Sequence, residues 1–118
     1  MAELGRTAAE AHISPAVAGY IVSVAEATRS DERCELGVST RGALALARCA
    51  KVFAMTQARA FVTPDDVKAL AHSVLAHRLI IAPEAGLDGV KAGRVISDVL
   101  ASVPVPVAGG AEMAGALA

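Results

Sequence analysis

A chain of 118 residues with 54% hydrophobic content has room for one compact domain with a genuine core. Eleven basic residues against twelve acidic ones leave a formal charge of -1, which excludes a strong general field for steering nucleic acid or an anionic membrane, so any anion site must be local. The aromatic fraction is 3% and there is no Trp, so the interior has to be built from small and medium aliphatic groups, which favours closely packed helices.

Taken in chain order, Ala2–Ala11 is rich in helix formers and predicts a short helix ending near His12 and Ile13. Ser14 followed by Pro15 places an N-cap before a proline at the first helical position. Val17, Tyr20, Ile21, Val24, Ala25 and Thr28 then recur at helical spacing, predicting a helix from about Pro15 to Arg29. The polar run Ser30–Arg33 ends it, and Leu36-Gly37-Val38 leads through a loop to Ser39. From Thr40 to about Gln57, Leu46, Cys49, Ala50 and Phe53 form one apolar stripe, with Arg41, Arg48 and Lys51 toward another face, and Cys49 is expected in the core.

Phe61-Val62 reads as a short extended link, and Thr63-Pro64-Asp65-Asp66 as a helix start with a cap, a proline and two carboxylates on the positive end of the dipole. Val67, Leu70, Ala71, Val74 and Leu75 supply that helix with a buried face. Leu79-Ile80-Ile81-Ala82 is β-prone and is expected to pair with Phe61-Val62 as a minor two-stranded ribbon. Gly86, Gly89 and Gly93 weaken helix formation, but Ala92, Val95, Ile96, Val99, Leu100 and Val103 are spaced for a last helix that ends before Pro104. The Gly- and Ala-rich remainder is expected to be disordered beyond about Val107, so residues 1–106 form the domain and 107–118 a tail. The fold class is all-α, a small bundle of four to five helices.

Cys34 and Cys49 are too few for a disulfide scaffold and fit a reduced, cytoplasmic setting. Charged residues interrupt every apolar stretch before the roughly 20 residues a membrane span needs, and Met1–Glu10 lacks the apolar core of a secretory signal. Nor does the chain hold a Gly-rich loop ending in Lys-Ser or Lys-Thr, or a hydrophobic strand ending in paired acids, so by itself it is not a complete P-loop ATPase. His72 and His77 are five residues apart, roughly 500° of helical rotation, and do not share a face as a zinc pair would. Ser39, His72 and the Asp65-Asp66 pair could be combined into a hydrolytic triad only without the strand-turn-helix elbow that exposes such a serine, and capping explains them better. Arg41 stands out. In the first turn of a helix capped by Ser39, the dipole disfavours a cation by a few tenths to roughly 1 kcal/mol. An anion at that helix end would reverse the sign; a solvated surface arginine is the alternative.

The run Tyr20-Ile21-Val22 through Ala27-Thr28-Arg29, then Leu36-Gly37-Val38-Ser39-Thr40-Arg41, then Ala58-Arg59-Ala60-Phe61-Val62-Thr63-Pro64-Asp65-Asp66-Val67, then Val74-Leu75-Ala76-His77-Arg78 resembles the C-terminal lid of MoxR-type AAA+ ATPases in order and spacing. A magnesium-chelatase-like lid is the nearest competitor in the same superfamily. The resemblance implies a helical subdomain that follows an α/β nucleotide-binding core and closes over ATP and magnesium, none of which this chain would bind tightly alone. It assigns Arg41 the role called sensor two, an arginine reaching the nucleotide phosphates. Val38 and Thr40 stand where the family motif has alanine and proline, which leaves the helix start less preorganised. Arg29 and Arg78 also fall in family-like motifs, without a role assigned from sequence. The resemblance further implies a hexameric ring-forming parent that remodels or matures client proteins, often with von Willebrand factor A-domain partners. The competing expectation is a free-standing helical protein-interaction or DNA-binding module, in which Arg41, Arg48 and Lys51 would touch phosphate, although no turn-plus-recognition-helix pattern supports it.

Overall fold

The computed structural model of the chain describes residues 11–106. The short helix expected over Ala2–Ala11, Ala11 apart, and the tail expected beyond Val107 lie outside those residues. Five α-helices and a two-stranded antiparallel ribbon follow in the order α1 Pro15–Arg29, β1 Cys34–Leu36, α2 Thr40–Thr56, α3 Pro64–Leu75, β2 Ile80–Ile81, α4 Pro83–Leu87 and α5 Ala92–Ser102, with a 3-10 turn at Ala76–Arg78. No described helix is long and apolar enough to cross a membrane.

Helix starts are set locally. Ser14 accepts a hydrogen bond from the Val17 N–H ahead of Pro15, and Thr63 and Asp66 form a reciprocal capping box ahead of α3. Helix α1 buries Val17, Tyr20, Ile21, Val24, Ala25 and Thr28, the face predicted from spacing. Helix α2 packs chiefly on α3, and the buried residues of each are spaced by four: Gly42, Leu46, Ala50 and Ala54 on one, Val67, Ala71 and Leu75 on the other. Helix α5 closes the bundle with Val95, Ile96 and Val99 against α1 and α3.

Cys49 is exposed, contrary to the expectation that it lies in the core. The row of small residues decides which face of α2 turns inward, and Cys49 sits about 100° around the helix from Ala50. Phe53 is only partly buried, so the α2 stripe is rotated from the one that hydrophobicity alone suggests. The ribbon also forms with another partner. Ile80–Ile81 pairs with Cys34–Leu36, while Phe61 makes an isolated parallel bridge with His12. The bonds His12 N–H to Ala60 O and Val62 N–H to His12 O fasten Phe61-Val62 to the entry of α1, which takes it away from β2. Helix α4, one turn started by Pro83, had no sequence expectation.

Ala58 occupies the left-handed region at φ 57 directly after the Gln57 cap. The Ala58 N–H bonds the Met55 carbonyl and the Arg59 N–H bonds that of Ala54, the paired pattern of a Schellman motif. A Cβ in this region is strained. Ala58→Gly is therefore expected to raise stability by about 0.5–1 kcal/mol, seen as a higher urea midpoint with an unchanged m-value.

Polar ties hold the remaining elements. Arg33 bridges Asp31 at 2.7 Å and Asp98 of α5 at 2.7 Å, and its side-chain bonds hold both carboxyls below the usual range. His72 Nε2 lies 2.9 Å from Ser97 Oγ and 3.2 Å from the Gly93 carbonyl, linking α3 to α5.

Candidate functional site

The start of α2 is assembled from three separate parts of the chain. Ser39, extended at φ -79 and ψ 171, caps it by accepting from the Gly42 N–H at 3.3 Å. The first N–H groups of a helix have no intrahelical acceptor, so this end carries partial positive charge. Helix α3 offsets its own with Asp65 and Asp66, but α2 has no acidic residue in its first turn. Arg41 instead stands there, exposed, and makes no hydrogen bond or ion pair among the described residues.

Two further arginines converge on this end. A Cβ at Gly42 would sit 3.2 Å from Arg78 Cδ and 2.8 Å from Val38 Cγ1, so the Arg78 stem crosses the first turn of α2 where only a hydrogen fits without displacement. Arg78 Nε donates to the Val74 carbonyl at 3.1 Å. Arg29 Nε donates to the Val38 carbonyl at 2.8 Å, which brings its guanidinium beside the loop that feeds the helix. In both, the terminal nitrogens have no acceptor among the described residues. The side chains of Arg29 and Arg78 thus lie beside the helix end at which Arg41 stands, and a guanidinium at a capped helix N-terminus is a group chemically suited to a phosphate or carboxylate. The exposed place of Arg41 in the first turn of α2 agrees with the sequence expectation for its position. The approach of Arg29 and Arg78 was not legible in the sequence, because it depends on loop closure and on α3 lying across α2; the glycines at 37 and 42 were the available signal of close backbone packing.

The other sequence constellations are dispersed. Ser39 is a cap, His72 is bonded toward α5, and Asp66 is paired with Arg59, so no triad forms. No group of three His, Cys, Asp or Glu side chains among the described residues could hold a metal ion. Arg48 lies away from the Arg41 end, beside a shallow apolar cleft of about 380 Å³ formed with Cys49, Val52, Phe53, Thr56 and Leu70. A second apolar groove, about 200 Å³, opens between α1 and α2 beside Thr40, with Ile21, Val22 and Leu44 in its walls.

Comparison with known proteins matches residues 26–99 to the family described as AAA lid domain. The chain is 39% identical over 88 residues to the uncharacterized protein YeaC of Bacillus subtilis (strain 168), covering 75% of this chain and 28% of that protein. It is 31% identical over 112 residues to chaperone MoxR1 of Mycobacterium tuberculosis, covering 87% of this chain and 30% of the relative, and 32% identical over 112 residues to protein MoxR of Paracoccus denitrificans, covering 82% and 33%. A crystal structure from Cytophaga hutchinsonii, provisionally assigned as an ATPase, superposes with a TM-score of 0.79 at 30% identity, over 85% of this chain and 33% of that one. The chain thus spans a third or less of the length of these relatives.

Proposed function

The chain belongs to the AAA lid domain family, in the form carried by MoxR-type AAA+ ATPases, and from that premise we propose that it closes over ATP bound by a nucleotide-binding core and couples hydrolysis to the remodelling or maturation of client proteins. The observation that supports this is the α2 start: a capped helix end, no acid in its first turn, and Arg41 exposed there without a protein partner among the described residues. Arg41 would present its guanidinium to the β- or γ-phosphate as the lid closes, stabilising charge that builds on the phosphoryl oxygens. Arg29 and Arg78 would add positive potential around the same phosphates.

Magnesium would supply charge neutralisation of the phosphates and would be held by the core, because no group of three His, Cys, Asp or Glu among the lid's described residues converges. The apolar α1–α2 groove beside Thr40 would face protein, consistent with relatives about three times as long as the matched region. Neighbouring subunits of a ring and von Willebrand factor A-domain proteins are the further partners of this proposal.

Arg41→Ala in the full-length ATPase that carries this lid tests it. Removing the cation relieves an unfavourable dipole contact, so the lid should melt at the same temperature or slightly higher. Affinity for Mg-ATP should fall about tenfold to a hundredfold, the worth of a charged hydrogen-bonded contact. Arg48→Ala, about two turns or roughly 10 Å farther along α2, should leave affinity unchanged. Unaltered binding and turnover in a folded Arg41→Ala protein would return Arg41 to the status of a surface residue.

A further inference from the structure

Thr28 is one of two buried polar side chains in the described core. A helical threonine ordinarily satisfies its hydroxyl by donating to a carbonyl one turn back, and Thr28 Oγ1 does so to Ala25 O at 2.6 Å. The same oxygen also accepts from the Val38 N–H at 2.9 Å, ten residues farther on. The Val38 carbonyl is taken by Arg29 Nε at 2.8 Å. Both backbone polar groups of the residue before the Ser39 cap are therefore held by consecutive residues at the end of α1. Gly37 permits this approach, since a Cβ there would lie 2.6 Å from the Arg29 backbone.

The start of α2, like that of α5, lacks a proline. Helices α1, α3 and α4 each begin with a proline, whose ring fixes φ for the first turn. Helix α2 begins with Thr40 and has only the 3.3 Å Ser39 cap of its own. Its direction on leaving the loop is set from outside, by the grip on Val38, and Arg41 follows Val38 by three residues.

We infer that Thr28 is a positioning residue for Arg41: with Arg29, it fixes the angle at which α2 starts and hence the point the Arg41 guanidinium reaches. This rests on the assignment of Arg41 to the nucleotide phosphate. A hydroxyl that touches no ligand thereby controls phosphate affinity through a backbone it holds.

The test is Mg-ATP affinity in the full-length ATPase, measured below the melting temperature of every variant, for Thr28→Val, Arg41→Ala and the pair combined. Thr28→Val keeps the shape and removes both bonds; it should weaken binding about threefold to tenfold, as expected for a displaced contact group. In the Arg41→Ala background it should cause no further loss, even though it lowers the melting temperature in both backgrounds. Thr28→Ser, which keeps the hydroxyl, should bind as the parent does. Thr40→Pro should restore affinity to Thr28→Val, because extended Ser39 accepts a following proline and the first-position N–H has no intrahelical acceptor to lose. If Thr28→Val binds as tightly as the parent, or loses the same factor with and without Arg41, positioning is overturned while the phosphate assignment stands. If Arg41→Ala itself leaves affinity unchanged, both fall. Should Thr28→Val not fold, Arg29→Lys, which keeps the charge but places a methylene where Nε donates to the Val38 carbonyl, enters the same comparison, with additivity to Arg41→Ala as the contrary result.

Discussion

Asp66→Ala is expected to lower the stability of the fold by about 2–4 kcal/mol at pH 7, combining a charged bidentate contact with one half of a capping box. The side chain is 3% exposed and receives Arg59 on both oxygens at 2.7 Å, while its Oδ2 also accepts the Thr63 N–H at 2.8 Å. Arg59 is a quarter exposed and can regain water when its partner is removed, which keeps the loss below that of a fully buried pair. Asp66→Asn retains an acceptor for Thr63 and should fall between the two. Burial alone would push the Asp66 pKa up; the Arg59 contact, the Thr63 backbone N–H and the Arg59 charge together outweigh it and hold the carboxyl below the usual range. A depressed folded pKa means that the contribution is present above the unfolded value, about 4, and is lost as pH falls through the folded one. The gap between parent and Asp66→Ala in urea denaturation should therefore be constant from about pH 5 to 7 and narrow below about pH 4. A gap that stayed constant into acid would show that the carboxylate charge contributes nothing.

What could be foreseen from sequence divides along the range of the determining interactions. The starts of α1 and α3 were legible because Ser14-Pro15 and Thr63-Pro64 carry the cap and the fixed φ within a few residues, and the α1 face followed from spacing alone. The face of α2 was legible only in part. Apolar content pointed to Cys49, but tertiary packing, chiefly on α3, buries the row of Gly42, Leu46, Ala50 and Ala54 instead, a choice made by the partner elements. Strand pairing was the least accessible. Ile80–Ile81 has the composition of a strand, yet nothing in it specifies Cys34–Leu36 over Phe61-Val62, and in the fold Phe61 pairs with His12 instead. Around the α2 start the same division holds: the place of Arg41 in a first turn follows from its own few residues, whereas the contact of Arg29 with Val38 and of the Arg78 stem with Gly42 depends on tertiary packing. Thr28 belongs to the helical spacing that marks the α1 face, but its hold on Val38 is a tertiary bond with no local mark.

Gly37→Ala should be the most disruptive of the conservative glycine replacements, and the reason is distance rather than backbone conformation. An added Cβ would lie 2.6 Å from both Cα and N of Arg29 and 2.7 Å from the Thr28 carbonyl carbon. These are backbone atoms in the last turn of α1 and cannot rotate aside, unlike a side-chain end. The β1–α2 loop has to lift, which strains the loop and frees the buried Val38 N–H from Thr28. Overpacking and an unsatisfied buried donor each amount to about 1–3 kcal/mol, so a loss of about 2–4 kcal/mol is expected. In a domain of this size that is a fall in melting temperature of roughly 10–25 °C. Gly19→Ala provides the internal contrast. Nothing lies within 4 Å of a Cβ at that position in the middle of α1, so alanine's helix preference should raise stability by about 0.5–1 kcal/mol. Calorimetry on the two variants separates the effects by sign. A Gly37→Ala protein melting within a degree or two of the parent would show that the loop yields freely, and the α2 start would then be too loose to aim Arg41.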